Sequence, residues 1–238
     1  MARCDARRTA RCNTGTAELY AFDKAVESGR LVRVAGLDEA GRGPLAGPVV
    51  AAAVVLDLDK LIDGINDSKK LTAKKREELY GLITENAAWA VGMATHEEID
   101  SINILRASLL AMQRALSGLT SAWSLALIDG NVPLPGLASS RQQTVVRGDG
   151  KSASVAAASI VAKVTRDRIM QTYHDQYPGY EFAAHKGYPT SLHRERIRQM
   201  GLCGIHRKTF CEAIVETDVS TDVSQTRLDL SQEKTWQK

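Results

Sequence analysis

Apolar positions along the chain fall into short runs separated by turn residues, and two of these runs organise the rest. Residues 31–37 and 49–56 flank a stretch of glycines and prolines. They are rich in valine and bounded by breakers, so both read as strands. Asp38 and Glu39 sit where the first run ends. Upstream, residues 18–27 read as a short helix with Leu19, Phe22 and Val26 on one side. Residues 57–66 form a loop of mixed charge. Thr72 caps a predicted helix running to about residue 86, with Leu79, Leu82 and Ile83 facing inward. Residues 89–93 read as a strand. Thr95 and Glu98 form a capping box for a helix carrying Ile102, Leu105, Leu109, Met112 and Leu116 at steps of three and four.

Residues 124–128 read as a buried strand that ends in Asp129-Gly130-Asn131, and Pro133 and Pro135 then stop regular structure. Residues 143–146 read as another strand, ending in Arg147-Gly148-Asp149-Gly150. The alanine-rich segment 154–170 should be a helix buried on most sides. Residues 177–190 are aromatic and turn-rich, 191–200 form a short basic helix, and 201–211 are again basic. Strand-led at first and helical at the end, this order predicts an α/β core followed by a smaller helical region.

Composition adds little to that outline. With 238 residues, 44% of them hydrophobic, the chain can build one substantial core. Residues 1–17 read as a flexible basic arm and 216–238 as a disordered polar tail. A formal charge of +3 leans weakly towards an anionic partner. Cys4, Cys12, Cys203 and Cys211 have no zinc-type spacing, and a bridge between the last two stays open. Residues 1–20 lack the apolar core of a secretion signal, and no apolar run is long enough to span a membrane. The expected setting is the cytoplasm.

Candidate chemistry comes from acids attached to apolar elements: Asp38, Glu39, Asp129 and Asp167. Charged groups in core-forming elements need a cation or a hydrogen-bond partner. Gathered together, four carboxylates would make a hard oxygen-donor site suited to Mg2+ or Mn2+ rather than zinc. A plainer alternative has Asp129-Gly130 starting a turn and Asp167 pairing with Lys163 one helical turn earlier. Two phosphate-binding patterns fail. Gly41-Arg42-Gly43 opens a dinucleotide-type fingerprint but leads into a second strand instead of a helix, and Gly150-Lys151-Ser152 lacks the required first glycine because position 145 is Val145.

The stretch GLDEAGRGPLAGPV, residues 36–49, resembles the opening motif of the ribonuclease HII family. Leu127-Ile128-Asp129-Gly130 and AAASIVAKVTRD, residues 156–167, are similar to two further blocks of that family in the same order. The resemblance extends over residues 34–210. It implies a ribonuclease H-like five-stranded mixed sheet flanked by helices, with a core at 18–175 and a C-terminal helical region at 176–215 closing one side of the substrate cleft. It further implies that Asp38, Glu39, Asp129 and Asp167 are catalytic and hold Mn2+ or Mg2+ for two-metal hydrolysis, giving 3′-hydroxyl and 5′-phosphate ends.

By the same resemblance, Gly41, Arg42 and Gly43 read a ribose 2′-hydroxyl and Tyr188 packs against the sugar at the junction. Packing beside Pro189 is the plainer role for Tyr188. Ser68 and Lys69, in a DSK block, with Lys163, Lys186 and Thr190, are implied phosphate contacts. Arg166, His193, Arg194, Arg196, Arg198 and Arg207 would add positive surface, or simply solvated helix faces. The implied substrates are RNA–DNA hybrids and DNA duplexes containing ribonucleotides, met by a monomer without a membrane. The rival functions are a non-catalytic nucleic-acid binding module, which would need the cations but not the buried acids, and another two-metal phosphotransferase or nuclease on a similar core.

Overall fold

The computed structural model describes residues 14–28 and 33–215. Positions 31 and 32 of the first run, most of the expected N-terminal arm and the 216–238 tail lie outside them. Residues 14–17 begin the first helix, α1 (Thr14–Ser28).

Five strands, β1 (Val34–Ala40), β2 (Val49–Val55), β3 (Ala88–Ala94), β4 (Leu125–Asp129) and β5 (Gln142–Val145), form one sheet in the order β3-β2-β1-β4-β5. β2 runs antiparallel to β1 and β3, whereas β1, β4 and β5 are parallel. Every residue of β2 is buried, because helices cover both faces of the sheet. That is why its sequence, VVAAAVV, shows no polar alternation.

One face packs α1, α2 (Ala73–Asn86) and α5 (Ala153–Gln176), with Leu79, Ile83, Ile160 and Val161 meeting Ala52 and Val54. The opposite face packs α3 (His96–Ile102) and α4 (Ile104–Ser117), where Met112 and Leu116 meet Leu37, Ala51 and Ala53. A third cluster joins Leu45, Met170, Phe182, Ile197 and Cys211. It seats α6 (Phe182–His185) and α7 (Ser191–Met200) at one end of the sheet.

Small residues let the buried helix lie close to the sheet. A Cβ at Gly36 would overlap the backbone of Ser154 and Val155 in the first turn of α5. That turn is fixed by two acceptors: Asp23 Oδ2 takes the Ser154 N–H at 2.8 Å, and Ser152 Oγ takes that of Val155 at 3.2 Å. Gly36→Ala is therefore expected to lower unfolding free energy by about 3 kcal/mol through overpacking, as a urea titration would measure.

Two details depart from the sequence pattern. The helix after the capping box is broken at Asn103, whose φ is 67°. Its Oδ1 accepts from the N–H groups of Leu105 and Arg106, restarting the helix as α4. Leu105 and Leu82, expected inward, are 41% and 44% exposed. Apolar spacing marks a stripe, but alanines and one glycine bring α4 so near the sheet that Ala107, Ala111 and Ala115 take the contact instead. Cys203 and Cys211 are both free thiols.

Candidate active site

Strand register brings the acids together. Leu37 of β1 lies opposite Ile128 of β4, so the next residues, Asp38 and Asp129, stand side by side where two parallel strands end. Such edges are where open α/β sheets bind ligands. Asp38 is only 4% exposed. Burial drives its pKa well above the usual carboxylate range, with the charges of Glu39 and Asp129 adding to the effect. Its remaining partners are the Glu39 N–H, at 2.7 Å, and the Ser159 hydroxyl from α5.

Glu39 is likewise raised, by burial first, although Arg42 Nη1 at 3.2 Å pulls the other way. Asp129 is raised by burial and by Asp149, while its Oδ1 accepts the Gly148 N–H at 2.6 Å. Asp149 follows β5 and is buried, with Oδ2 3.2 Å from Lys69 Nζ. Asp38, Glu39, Asp129, Lys69, Lys163 and Tyr188 line one cavity of about 270 Å³.

An all-oxygen set of mutually repelling, desolvated acids fits a hard divalent cation, which would offset the charge that burial penalises. Among the described residues no three His, Cys, Asp or Glu side chains already converge on one point. Each acid instead faces a protein donor, so ligation would require side-chain rotations from Arg42, Gly148 and Lys69.

The turn between β1 and β2 forms the cavity's other wall. Gly41 has φ +100°, a conformation that favours glycine. Two fully buried arginines hold the turn by its carbonyls. Arg166 donates to Pro48, Ala46 and Lys186, at 3.1, 3.2 and 3.0 Å. Arg207 donates to Gly47, Arg42 and Gly41, with the Gly41 bond at 2.6 Å. Tyr188, 39% exposed, faces the turn: a Cβ on Gly43 would lie 3.8 Å from its ring.

The family model for ribonuclease HII matches residues 35–213, which include every residue of this cavity. The chain belongs to the ribonuclease HII family. It is 50% identical to the ribonuclease HII of Endomicrobium trichonymphae over 213 residues, 89% of this chain and 98% of the relative. Over 191 residues it is 51% identical to that of Ruegeria pomeroyi, covering 80% of this chain and 81% of the relative. The ribonuclease H2 structure from Pyrococcus horikoshii OT3 superposes with a TM-score of 0.64 at 30% identity, covering 78% of this chain and 98% of that one. Both the family and the ribonuclease H-like fold are thereby shown. As a ribonuclease HII, the protein is a divalent-metal-dependent endoribonuclease that acts on RNA–DNA hybrids.

Within this ribonuclease HII, several implied site residues stand elsewhere. Asp167 is not with the other acids. Its Oδ1 pairs with Lys163 Nζ at 2.6 Å, and it lines a separate cavity with Glu77, Arg168 and Lys186. A lysine one helical turn away satisfies it, as i, i+4 geometry allows. Asp149 stands beside Asp129 instead. Arg166, Arg207 and His193 are buried, so they are not positive surface. Ser68 is also buried and bonds to Ser159 Oγ at 2.9 Å, in a chain that reaches Asp38. Thr190 Oγ1 caps α7 by accepting the His193 N–H. Lys69, with its side chain 79% exposed, lies at the surface with its Nζ paired to Asp149.

Asp149 carried a readable signal: like Asp129, it lies at the C-terminal end of a strand and is followed by a glycine, and the two strands are parallel neighbours. Asp149→Asn is expected to lower kcat by about 100-fold or more, whereas Asp167→Asn should stay within about threefold of wild type. Steady-state cleavage of a labelled hybrid decides between them.

Proposed function

We propose that this ribonuclease HII hydrolyses the RNA strand of RNA–DNA hybrids and also incises DNA duplexes 5′ to single embedded ribonucleotides. The observation that carries this reading is one cavity shared by Asp38, Glu39, Asp129, the anchored Gly41–Gly43 turn and Tyr188. Water attacks phosphorus and the bond to the 3′ oxygen breaks, leaving a 3′-hydroxyl and a 5′-phosphate. Two divalent cations, Mg2+ or Mn2+, held by Asp38, Glu39, Asp129 and Asp149, would supply Lewis acidity to the attacking water and offset charge on the departing oxygen.

The chain's own residues select and place the substrate. Glycines at 41 and 43 let the backbone approach a ribose closely, where a 2′-hydroxyl can both donate and accept. Arg42 and Lys69 offer positive charge to flanking phosphates. Tyr188 packs against the sugar on the far side of the junction. A cytoplasmic monomer working in ribonucleotide removal from DNA fits these parts. Among the described residues no helix is long and apolar enough to cross a membrane.

The test uses a labelled duplex carrying one ribonucleotide, wild type and Asp129→Asn, with Mg2+, Mn2+ or chelator. All-DNA and all-RNA duplexes are controls. Metal-dependent cutting 5′ to the ribonucleotide, absent from the mutant and the controls, is the expected result. Cutting of hybrid without cutting of the single-ribonucleotide duplex would remove the finer reading.

A further inference from the structure

Behind Tyr188 lies a buried chain of hydrogen bonds that the chemistry above does not use. His193 Nδ1 is 3.0 Å from the Tyr188 carbonyl oxygen, and its Nε2 is 3.1 Å from His206 Nε2. His206 Nδ1 accepts the backbone N–H of Cys203 at 2.9 Å. Neither imidazole is more than 2% exposed.

The direction of every proton in this chain follows from its far end. A backbone N–H can only donate, so His206 Nδ1 is bare and its proton sits on Nε2. His206 Nε2–H then donates to His193 Nε2, which leaves the His193 proton on Nδ1, aimed at the Tyr188 carbonyl. A proton added to either ring would set donor against donor. Burial, the largest cause, pushes both histidines down to about 4, so the pair is neutral near pH 7. The titratable groups acting on it are His185, stacked 4.2 Å from His193, Cys203 beside His206, and His96 from α3.

Tyr188 is thus held by its backbone from two sides. Its N–H donates to the His185 carbonyl at 2.9 Å, and its carbonyl takes both the Thr190 N–H, at 2.8 Å, and the His193 ring. Its ring, 39% exposed, faces the Gly41–Gly43 turn with the Lys163 and Arg166 cations 5.9 and 5.8 Å from its centre. We propose that His193 and His206 are positioning residues: a neutral, proton-ordered pair that fixes Tyr188 where the junction sugar lands and thereby sharpens selection of an embedded ribonucleotide. This rests on the role given to Tyr188 in the proposed function.

The measurement is KM for a duplex with one ribonucleotide divided by KM for an all-hybrid duplex, taken from pH 5 to 8, so that effects common to both substrates cancel. His193→Phe keeps a ring against His185 but removes both hydrogen bonds, while His193→Asn retains a donor near the Nδ1 position. The expected result is a rise of about tenfold in the ratio for His193→Phe, most of it recovered in His193→Asn. In wild type the ratio should rise only towards pH 5. Tyr188→Ala separates the two readings. An unchanged ratio there overturns the role of Tyr188 and this proposal with it; a changed ratio there, with a wild-type ratio in folded His193→Phe, overturns this proposal alone. Nitrogen NMR of the wild type provides a check that needs no variant. Protonated Nδ1 on His193 and protonated Nε2 on His206 at pH 7 support the pair, and the reverse order or an imidazolium overturns it.

Discussion

Asp38→Asn is expected to abolish metal-dependent cleavage while making the metal-free protein more stable. Both effects come from the same burial. Asp38 is desolvated and sits beside Glu39 and Asp129, so its folded pKa lies well above that of an exposed carboxylate. A carboxyl whose folded pKa is raised holds its proton more tightly in the folded state than in the unfolded one. Its contribution to stability is then greatest below the unfolded value, near 4, and is lost as pH rises through the folded value. At pH 7 the charged form is a net cost, which the neutral amide removes. Wild type should therefore gain stability on adding Mn2+ or Mg2+, by about 1–3 kcal/mol at saturating ion, and Asp38→Asn should gain much less. Thermal melts with chelator and with metal test this, and cleavage should fall by at least about 1,000-fold. A variant less stable than wild type in chelator would show that Asp38 holds the fold together rather than straining it.

Arg207→Ala is expected to cost more stability than any surface substitution. Its guanidinium donates to three carbonyls of the Gly41–Gly47 turn from a site with no exposure. Burial, with the nearby charge of Arg166, pulls its pKa down to about 9, so it is still charged at neutral pH. Removing it leaves those carbonyls facing a cavity, and a buried unsatisfied acceptor costs roughly 1–3 kcal/mol. A total loss of about 4 kcal/mol is expected in urea unfolding. Where the variant still folds, the turn is no longer fixed, and KM for the single-ribonucleotide duplex should rise by about tenfold or more. Arg207→Lys should recover only part of this, because one ammonium cannot reproduce the planar fork that reaches three acceptors.

These two residues also show where sequence reading worked and where it stopped. Asp38 was legible because a charged residue ending an apolar run is costly unless it is used. Arg207 looked like one more cation in a basic segment, since only the folded chain shows that it turns inward to bare carbonyls 160 or more residues away. The strands and most helices could be read because their signals are local: valine runs, caps and breakers lie within a few residues of the element they define.

Among the acids the same division holds. Asp167 belonged to a specific motif on an apolar helix, yet Lys163, four residues earlier, takes its carboxylate. Asp149 sat unremarked in a Gly-Asp-Gly turn. What brought it beside Asp129 was the parallel pairing of β4 with β5, a contact between segments separated by connecting loops. By itself, then, the amino-acid order determined the elements, the α/β class and the Asp38-Glu39 pair, because each depends on neighbours along the chain. Which acids share a cavity, which arginines are buried and how the protons run behind Tyr188 were decided by tertiary structure, because charge and hydrogen bonding act through distances that only packing sets.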